Sequence, residues 1–412
     1  MKQEPQSEAE IQAEKEFPGY RWLVLAVAWL SFFGLAMSWY IMPTLEHEIM
    51  ELFNIDAAGY SRALTIPFLM AALLSFGGGM LADRWGLRKT ATLGILIAGG
   101  GIMLRARSAS YGLLFLAMAL LGVGMGLIMP NLPKLVSAWF PPEEAGLATG
   151  IYNTGLMGGI STGLVIAPFL PGWTGGNLLL GGMVIALGVI FFLVVRDAPP
   201  GHERPEVSIL SGLKSALRSR NAWAAASAVF LGLAGMVSIQ NSLPSALHEV
   251  YGLDMAAGGR VTSLITYASM AGSLTLPALV ERREKMKPYL VLLIIGFPVL
   301  MYGTWLLGEY TVILWTGTLL AGYIAGGSLP LFMSIPVHLP HYREDPVRSE
   351  HVGGASGLLT AFMNMGGFVG FPFIVTPIIV SLGHSAGLLV ACILFALQAL
   401  SAQFLDEPRE AR

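Results

Sequence analysis

Twelve long apolar runs constrain this chain more than any other feature. They fall at roughly 22–44, 58–82, 90–107, 111–139, 145–170, 176–196, 221–246, 259–280, 288–307, 310–338, 352–381 and 384–405. Most reach the length of about twenty residues that a helix needs to cross a bilayer, and the longer ones are expected to tilt. A soluble fold of 412 residues in which 54% are hydrophobic and only 12% charged has too little interior to hide its apolar surface. Lipid accepts such surface as solvent, provided that each segment satisfies its own backbone hydrogen bonds, as a helix does. Fifty glycines fit the same picture, because small residues let membrane helices approach closely. The expectation is an all-α polytopic protein with the lipid bilayer as its main partner.

Orientation follows from the basic residues. If both ends are cytoplasmic, nearly every lysine and arginine lies in an inside segment. Only Arg105 and Arg107 fall outside, and Arg62, Lys134 and Arg260 lie within the apolar runs. The positive-inside rule therefore predicts cytoplasmic termini in a cell membrane. Residues 1–19 are polar and acidic, without the basic start and short apolar core of a secretory signal, and read as a cytoplasmic tail. The expected organisation is a six-helix unit over 20–196, a cytoplasmic loop over 197–220, a second six-helix unit over 221–405 and a tail over 406–412. Within the loop, "VSILSGLKSALRSR" is basic and amphipathic, suited to a membrane surface. Trp22, Trp39, Tyr40, Trp139, Trp173, Trp223 and Tyr310 stand near segment ends, where amphipathic rings favour the interface. The single cysteine, Cys392, excludes an intrachain disulfide and makes a thiol-based metal site unexpected.

The two halves resemble each other. "PTLEHEI" (43–49) answers "PSALHEV" (244–250), and "IDAAGYSR" (55–62) answers "LDMAAGGR" (253–260). Asp56 and Asp254, Arg62 and Arg260, Asp83 and Glu281, and Arg84 and Arg282 all match at one constant offset, and "GLATGI" (146–151) answers "GGASGL" (353–358). Their common order points to a duplicated unit. Parallel repeats about an axis along the membrane normal are a transporter architecture, with solute held between the halves.

Gly79, Asp83, Arg84, Gly86, Arg88 and Lys89 spell G-x-x-x-D-R-x-G-x-R-K in the short loop between the second and third runs. This motif, with the twelve runs and the six-plus-six repeat, resembles the major facilitator superfamily over essentially the whole chain. The resemblance implies alternating access by rocking of two six-helix bundles, a monomer, and a gating role for the charges of this loop. Asp83 sits at a helix C-terminus, where the dipole disfavours an anion, so basic side chains or another helix's N-terminus should compensate it. Plain positive-inside anchoring is the competing reading. The second-half copy, "PALVERREK" (277–285), lacks the glycines and should form a looser gate. Met118 stands where many proton-coupled members carry arginine, and "GIYNTGLMGGISTG" (150–163) lacks the Gly-Pro pair of drug/proton antiporters. The stretch 129–161 is similar to cyanate and nitroimidazole transporters and more loosely to nitrate/nitrite porters, and "MNMGGFVG" (363–370) is similar to those porters and to organic-anion symporters.

Ionised groups within a bilayer are costly and call for explanation. No acid falls within the runs, whereas Arg62, Lys134 and Arg260 do. The interior is therefore expected to be cationic, with the solute supplying the negative charge. Lys134, near Pro130 and Pro133, is the leading candidate ligand; a lysine snorkelling to the surface is the alternative. Arg62 and Arg260 should lie toward the outer face, either drawing anions to the mouth or anchoring helix ends. Tyr40, Asn131, Tyr152, Asn153, Gln240, Asn241, Tyr267 and Asn364 complete the candidate lining, with interhelical hydrogen bonding as the competing role. His47 and His248 match across the repeat at outer helix ends, as pH sensors or as ordinary surface histidines.

The expected function is transport of a small inorganic or carboxylate anion. Efflux of neutral or lipophilic compounds, suggested by 20 methionines, and a transporter-like sensor stand as alternatives. No phosphate loop, HExxH or triad spacing suggests an enzyme, and no cofactor, metal or nucleic-acid partner is expected. A coupling proton or a counter-transported anion remains open.

Overall fold

The structure is a computed structural model that describes residues 19–198, 209–281, 286–341, 345–348 and 351–405. The described residues form helices and turns without strands. Twelve long helices follow in order: α1 (Tyr20–Trp39), α2 (Ala57–Trp85), α3 (Leu87–Ala106), α4 (Tyr111–Ile128), α5 (Pro142–Ile166), α6 (Gly172–Val194), α7 (Arg220–Tyr251), α8 (Met255–Glu281), α9 (Met286–Leu306), α10 (Thr311–Ala325), α11 (Val352–Val369) and α12 (His384–Ala396). Eleven of the resulting rods are long and apolar enough to cross a membrane. The twelfth, α5, has the length and is rich in Gly and Thr.

Proline and glycine set the breaks. Pro130 and Pro133 interrupt the fourth rod with a 3-10 turn (Met129–Asn131) before it resumes as Leu132–Trp139. Pro372 lies in a π-helical turn (Gly370–Val375) that leads from α11 into Thr376–Leu382. A proline cannot donate the next helical hydrogen bond, and its ring crowds the preceding turn. Side chains cap several starts, one matched pair among them. Asp56 accepts from Gly59 N at 2.7 Å to begin α2, and Asp254 accepts from Ala257 N at 2.5 Å to begin α8. The Asp56/Asp254 match of the sequence is thus a shared N-cap.

Packing repeats with an offset of six helices. In the first half α1 packs on α5, α2 on α4, and α3 on α4 and α6; in the second, α7 packs on α11, α8 on α10, and α9 on α10 and α12. Glycines set the closest of these contacts. On α5, a Cβ at Gly159 would lie 2.3 Å from Phe33 O of α1; on α11, a Cβ at Gly366 would lie 2.1 Å from Phe230 O of α7. The halves meet along a seam of two helix pairs, α2 with α11 and α5 with α8, which the repeat exchanges. The end at which α1 begins and α12 finishes is called proximal here, and the opposite end distal.

Several expectations require correction. Trp39, Tyr40, Trp139 and Trp173 are buried rather than interfacial, whereas Trp22, Trp223 and Tyr310 are exposed. The amphipathic segment of the central loop forms Ile209–Ala216 and docks on the start of α11, with Ser215 Oγ 2.9 Å from His351 Nδ1. Arg105, assigned to an outside loop, is fully buried in the last turn of α3.

Candidate functional site

The loop motif is held within the first half. Gly86 adopts a φ of 92°, which permits the sharp step from α2 to α3. A Cβ there would also fall 2.6 Å from Asp197 Oδ2. Asp197 in turn accepts from Arg88 N at 2.7 Å, closing the α3 N-terminus with an anion where the dipole favours one. The Arg88 guanidinium donates to Phe192 O at 2.6 Å and lies over the Phe192 ring. Arg84 and Lys89 are exposed. The close helix approach falls at Gly78, whose Cβ would meet Gly126 O at 2.4 Å, while the Gly79 carbonyl serves as an acceptor. Of the second-half copy, residues 282–285 lie outside the described residues.

Lys134 Nζ donates to Gly79 O at 3.0 Å and pairs with Asp83 at 2.5 Å. The cation expected to await a solute has a resident counter-ion, and the pair joins the fourth rod to α2 at the proximal end. Arg62 and Arg260 are exposed, six residues beyond the Asp56 and Asp254 caps, and Arg62 Nε donates to Ala58 O at 2.9 Å. The fourth cation, Arg105, was missed as an interior group because it ends an apolar run. It donates to Asn177 Oδ1 and Ser38 O, both at 2.6 Å, and lies beside the Trp173 ring. Lys134, Arg62 and Arg105 are each engaged by protein groups and Arg260 is exposed, so a buried cluster of free cations is not what the structure presents.

The neutral candidates are held mostly by contacts within one half. Gln240 Nε2 donates to Thr266 Oγ1 at 2.8 Å, linking α7 to α8, and Asn364 Nδ2 donates to Thr360 O within α11. Tyr152 is buried beside Phe32 and bonded to its neighbour Asn153. Tyr40 is buried against Trp39. Asn131 bonds to Gly78 O and Leu127 O and acts as helix glue. Tyr267 meets Thr162 across the seam at 3.2 Å. Asn241 is 1% exposed and its Oδ1 has no hydrogen-bond partner; Asn131 also leaves its Oδ1 unpartnered, but its Nδ2 is bonded to two carbonyls. Between the halves, the Phe68 ring of α2 lies over Gly367 of α11, whose Cβ would be 3.0 Å away, and Trp39 packs on Phe68 with centroids 4.5 Å apart.

At the distal end the halves touch through polar groups. Ser245 of α7 donates to Glu46, which follows the Pro43–Leu45 turn at the end of the first rod. His47 and His384 both face Glu249, at 3.6 and 3.2 Å, and the His47 and His248 rings stand 5.5 Å apart. Ser161 Oγ donates to Ser263 O at 3.3 Å between α5 and α8. The sequence reading placed no acid within an apolar run, and Glu46 lies just beyond the first one, at the start of the short helix Glu46–Phe53.

Residues 24–371 match the model of the Major Facilitator Superfamily. The chain belongs to this family. Among relatives of this facilitator, the probable nitrate/nitrite transporter NarK2 of Mycobacterium tuberculosis is 26% identical over 60% of the chain, and the match spans 63% of that relative's length. The cyanate transport protein CynX of Escherichia coli is 26% identical over 76% of the chain and 79% of its own length. A crystal structure of a bacterial homologue of the human lysosomal transporter Spinster, inward-facing and unoccupied, superposes with a TM-score of 0.69 at 17% identity over 94% of this chain and 95% of that one. That likeness establishes the shared fold.

Proposed function

We propose that this facilitator is a secondary transporter that carries a small monovalent anion by alternating access, with its proximal end and both termini in the cytoplasm. The observation that carries the reading is the Asn241 amide, buried on α7 with one hydrogen-bonding atom unused. Buried polar atoms almost always have a partner, so an unused one calls for an occupant. The two ends of an amide interchange by a half turn, so this position offers an N–H donor as readily as an oxygen. Gln240 lies next to it and Asn364 on α11, the helix that packs against α7 and reaches the seam. Neutral N–H and O–H donors hold an anion by dipoles. The cost of dehydrating an ion grows with the square of its charge, so a divalent anion pays about four times the penalty of a monovalent one. A lining of neutral donors therefore selects nitrate, nitrite, cyanate or a short carboxylate over sulfate or phosphate. The names of the nitrate/nitrite and cyanate relatives support the same class.

A neutral solute is the second reading, favoured by the engagement of Lys134 with Asp83 and of Arg105 with Asn177 and Ser38. Uptake into proteoliposomes separates the two. Nitrate, nitrite, cyanate and acetate should enter in competition with one another, sulfate should not compete, and Asn241→Leu should weaken the competition. Exchange of neutral solutes alone, untouched by these anions, would replace the first reading with the second.

A further inference from the structure

The distal contact gathers more titratable chemistry than closing a gap requires. Glu46 and His47 come from the first half, and His248, Glu249 and His384 from the second. They surround a cleft of about 300 Å³ whose lining includes Glu46, His47, Glu249 and His384 and, among the described residues, neither lysine nor arginine. Within this cluster each contact between the halves involves a group that changes charge: Ser245 to the Glu46 carboxylate, His47 to Glu249, and the His47 ring against His248. Closure also draws Glu46 and Glu249 into electrostatic reach of each other. The other titratable groups near the cluster are Tyr60, buried on α2 with its hydroxyl unpaired and facing Glu46, and Glu48 on the short helix with His47. Asp56 and Asp254 are committed to their N-caps, and Arg62 to the Ala58 carbonyl.

Two carboxylates brought together from opposite halves, with no fixed cation between them, repel unless a proton is added. Histidine supplies a place for that proton near neutral pH. Glu249 lies between one imidazole from each half, and His384 Nδ1 is buried without a partner. We propose that this cluster is a proton-binding site, so that closing the distal end takes up a proton and makes the proton the ion tied to the cycle. The last clause rests on the transport reading; the proton site itself does not. The closed form binds more protons than the open form, so linkage requires acid to favour closure and alkali to favour opening.

The test is distance measurement between spin labels on the full-length protein in nanodiscs, without solute. Ala109→Cys in the α3–α4 loop and Leu307→Cys in the α9–α10 loop are exposed distal positions, one in each half, and the native Cys392 is buried. Between about pH 8 and pH 5 the closed population should rise at least tenfold relative to the open one, the change that one proton gives over a single unit within its titration range. Glu46→Gln, which keeps the shape and the Ser245 contact without the charge, should favour closure at both pH values. His47→Gln with His384→Gln should flatten the response. Identical distance distributions at both pH values, opening in acid, or an unchanged response in these variants would each overturn the proposal. Because no solute is added, the result stands apart from whether the cargo is an anion.

Discussion

At the scale of single residues, the informative side chains are those whose partners differ from what charge alone suggests. Lys134 pairs with Asp83 on a partly exposed surface, and such pairs are worth about 0–1 kcal/mol. Lys134→Ala should leave the melting temperature nearly unchanged and lower the maximal transport rate without changing the apparent affinity. Exchanging the charges, Asp83→Lys with Lys134→Asp, should restore much of the rate, which would not happen if Lys134 bound the solute directly. Arg105 makes the opposite case. It is fully buried and its guanidinium ties α3 to Asn177 of α6 and to the Ser38 carbonyl of α1. Arg105→Met strands both acceptors, at a cost of about 2–4 kcal/mol, read as a lower melting temperature in detergent. Arg105→Lys should recover less than half of it, because an ammonium lacks the planar fork that reaches both acceptors. The sequence made the Asp83 motif legible, since charge after a long apolar run has few explanations. It hid Arg105, because a basic residue at the end of an apolar run reads equally as a loop residue until its neighbours in space are known. The signal for the distal cluster was present in the His47/His248 match across the repeat. Glu46 and His384 carried no such mark.

At the scale of elements, glycine spacing decides which helices touch backbone to backbone. Gly155, Gly159 and Gly163 stand one above another on α5, and each faces a carbonyl of α1. A methyl group at Gly159 has no room beside Phe33 O, so Gly159→Ala should cost about 1–3 kcal/mol through overpacking. Gly182 on α6 has nothing within 4 Å of its would-be Cβ. Gly182→Ala should therefore be neutral or stabilising by about 0.5–1 kcal/mol, the usual gain of alanine within a helix. Thermal unfolding of the two variants side by side checks the contrast. The twelve rods were legible because hydrophobic length alone marks a membrane helix. Their partners were not, because apolar faces in lipid carry no periodic polar stripe to show which side meets protein. The π-helical turn after α11 and the docking of Ile209–Ala216 on α11 were likewise beyond a reading of local pattern. The first depends on how Pro372 is accommodated and the second on a close approach between Gly212 and Gly354.

At the scale of the whole molecule, the seam is the moving part that the alternating-access reading requires. Two helix pairs related by the repeat form it, so rocking of the halves must open one end as it closes the other. Distal contacts hold the present arrangement: Ser161 of α5 against Ser263 of α8, Thr162 against Tyr267, and Thr44 beside Gly259. Mid-seam, Phe68 over Gly367 is a flat contact that a ring can slide across without breaking hydrogen bonds. If transport needs the distal end to part, a bond across it must stop the cycle while leaving the fold intact. Ser161→Cys with Ser263→Cys places two thiols across the seam in a chain whose only native cysteine, Cys392, is buried. Bridging them with a mercuric ion should abolish exchange of the transported anion, and removing the ion with excess thiol should restore it. Each single cysteine variant should be insensitive, which separates bridging from simple modification. Full exchange with the bridge in place, verified by a shift in mobility after quenching, would mean that the distal contact is permanent and that solute moves by a route other than the seam.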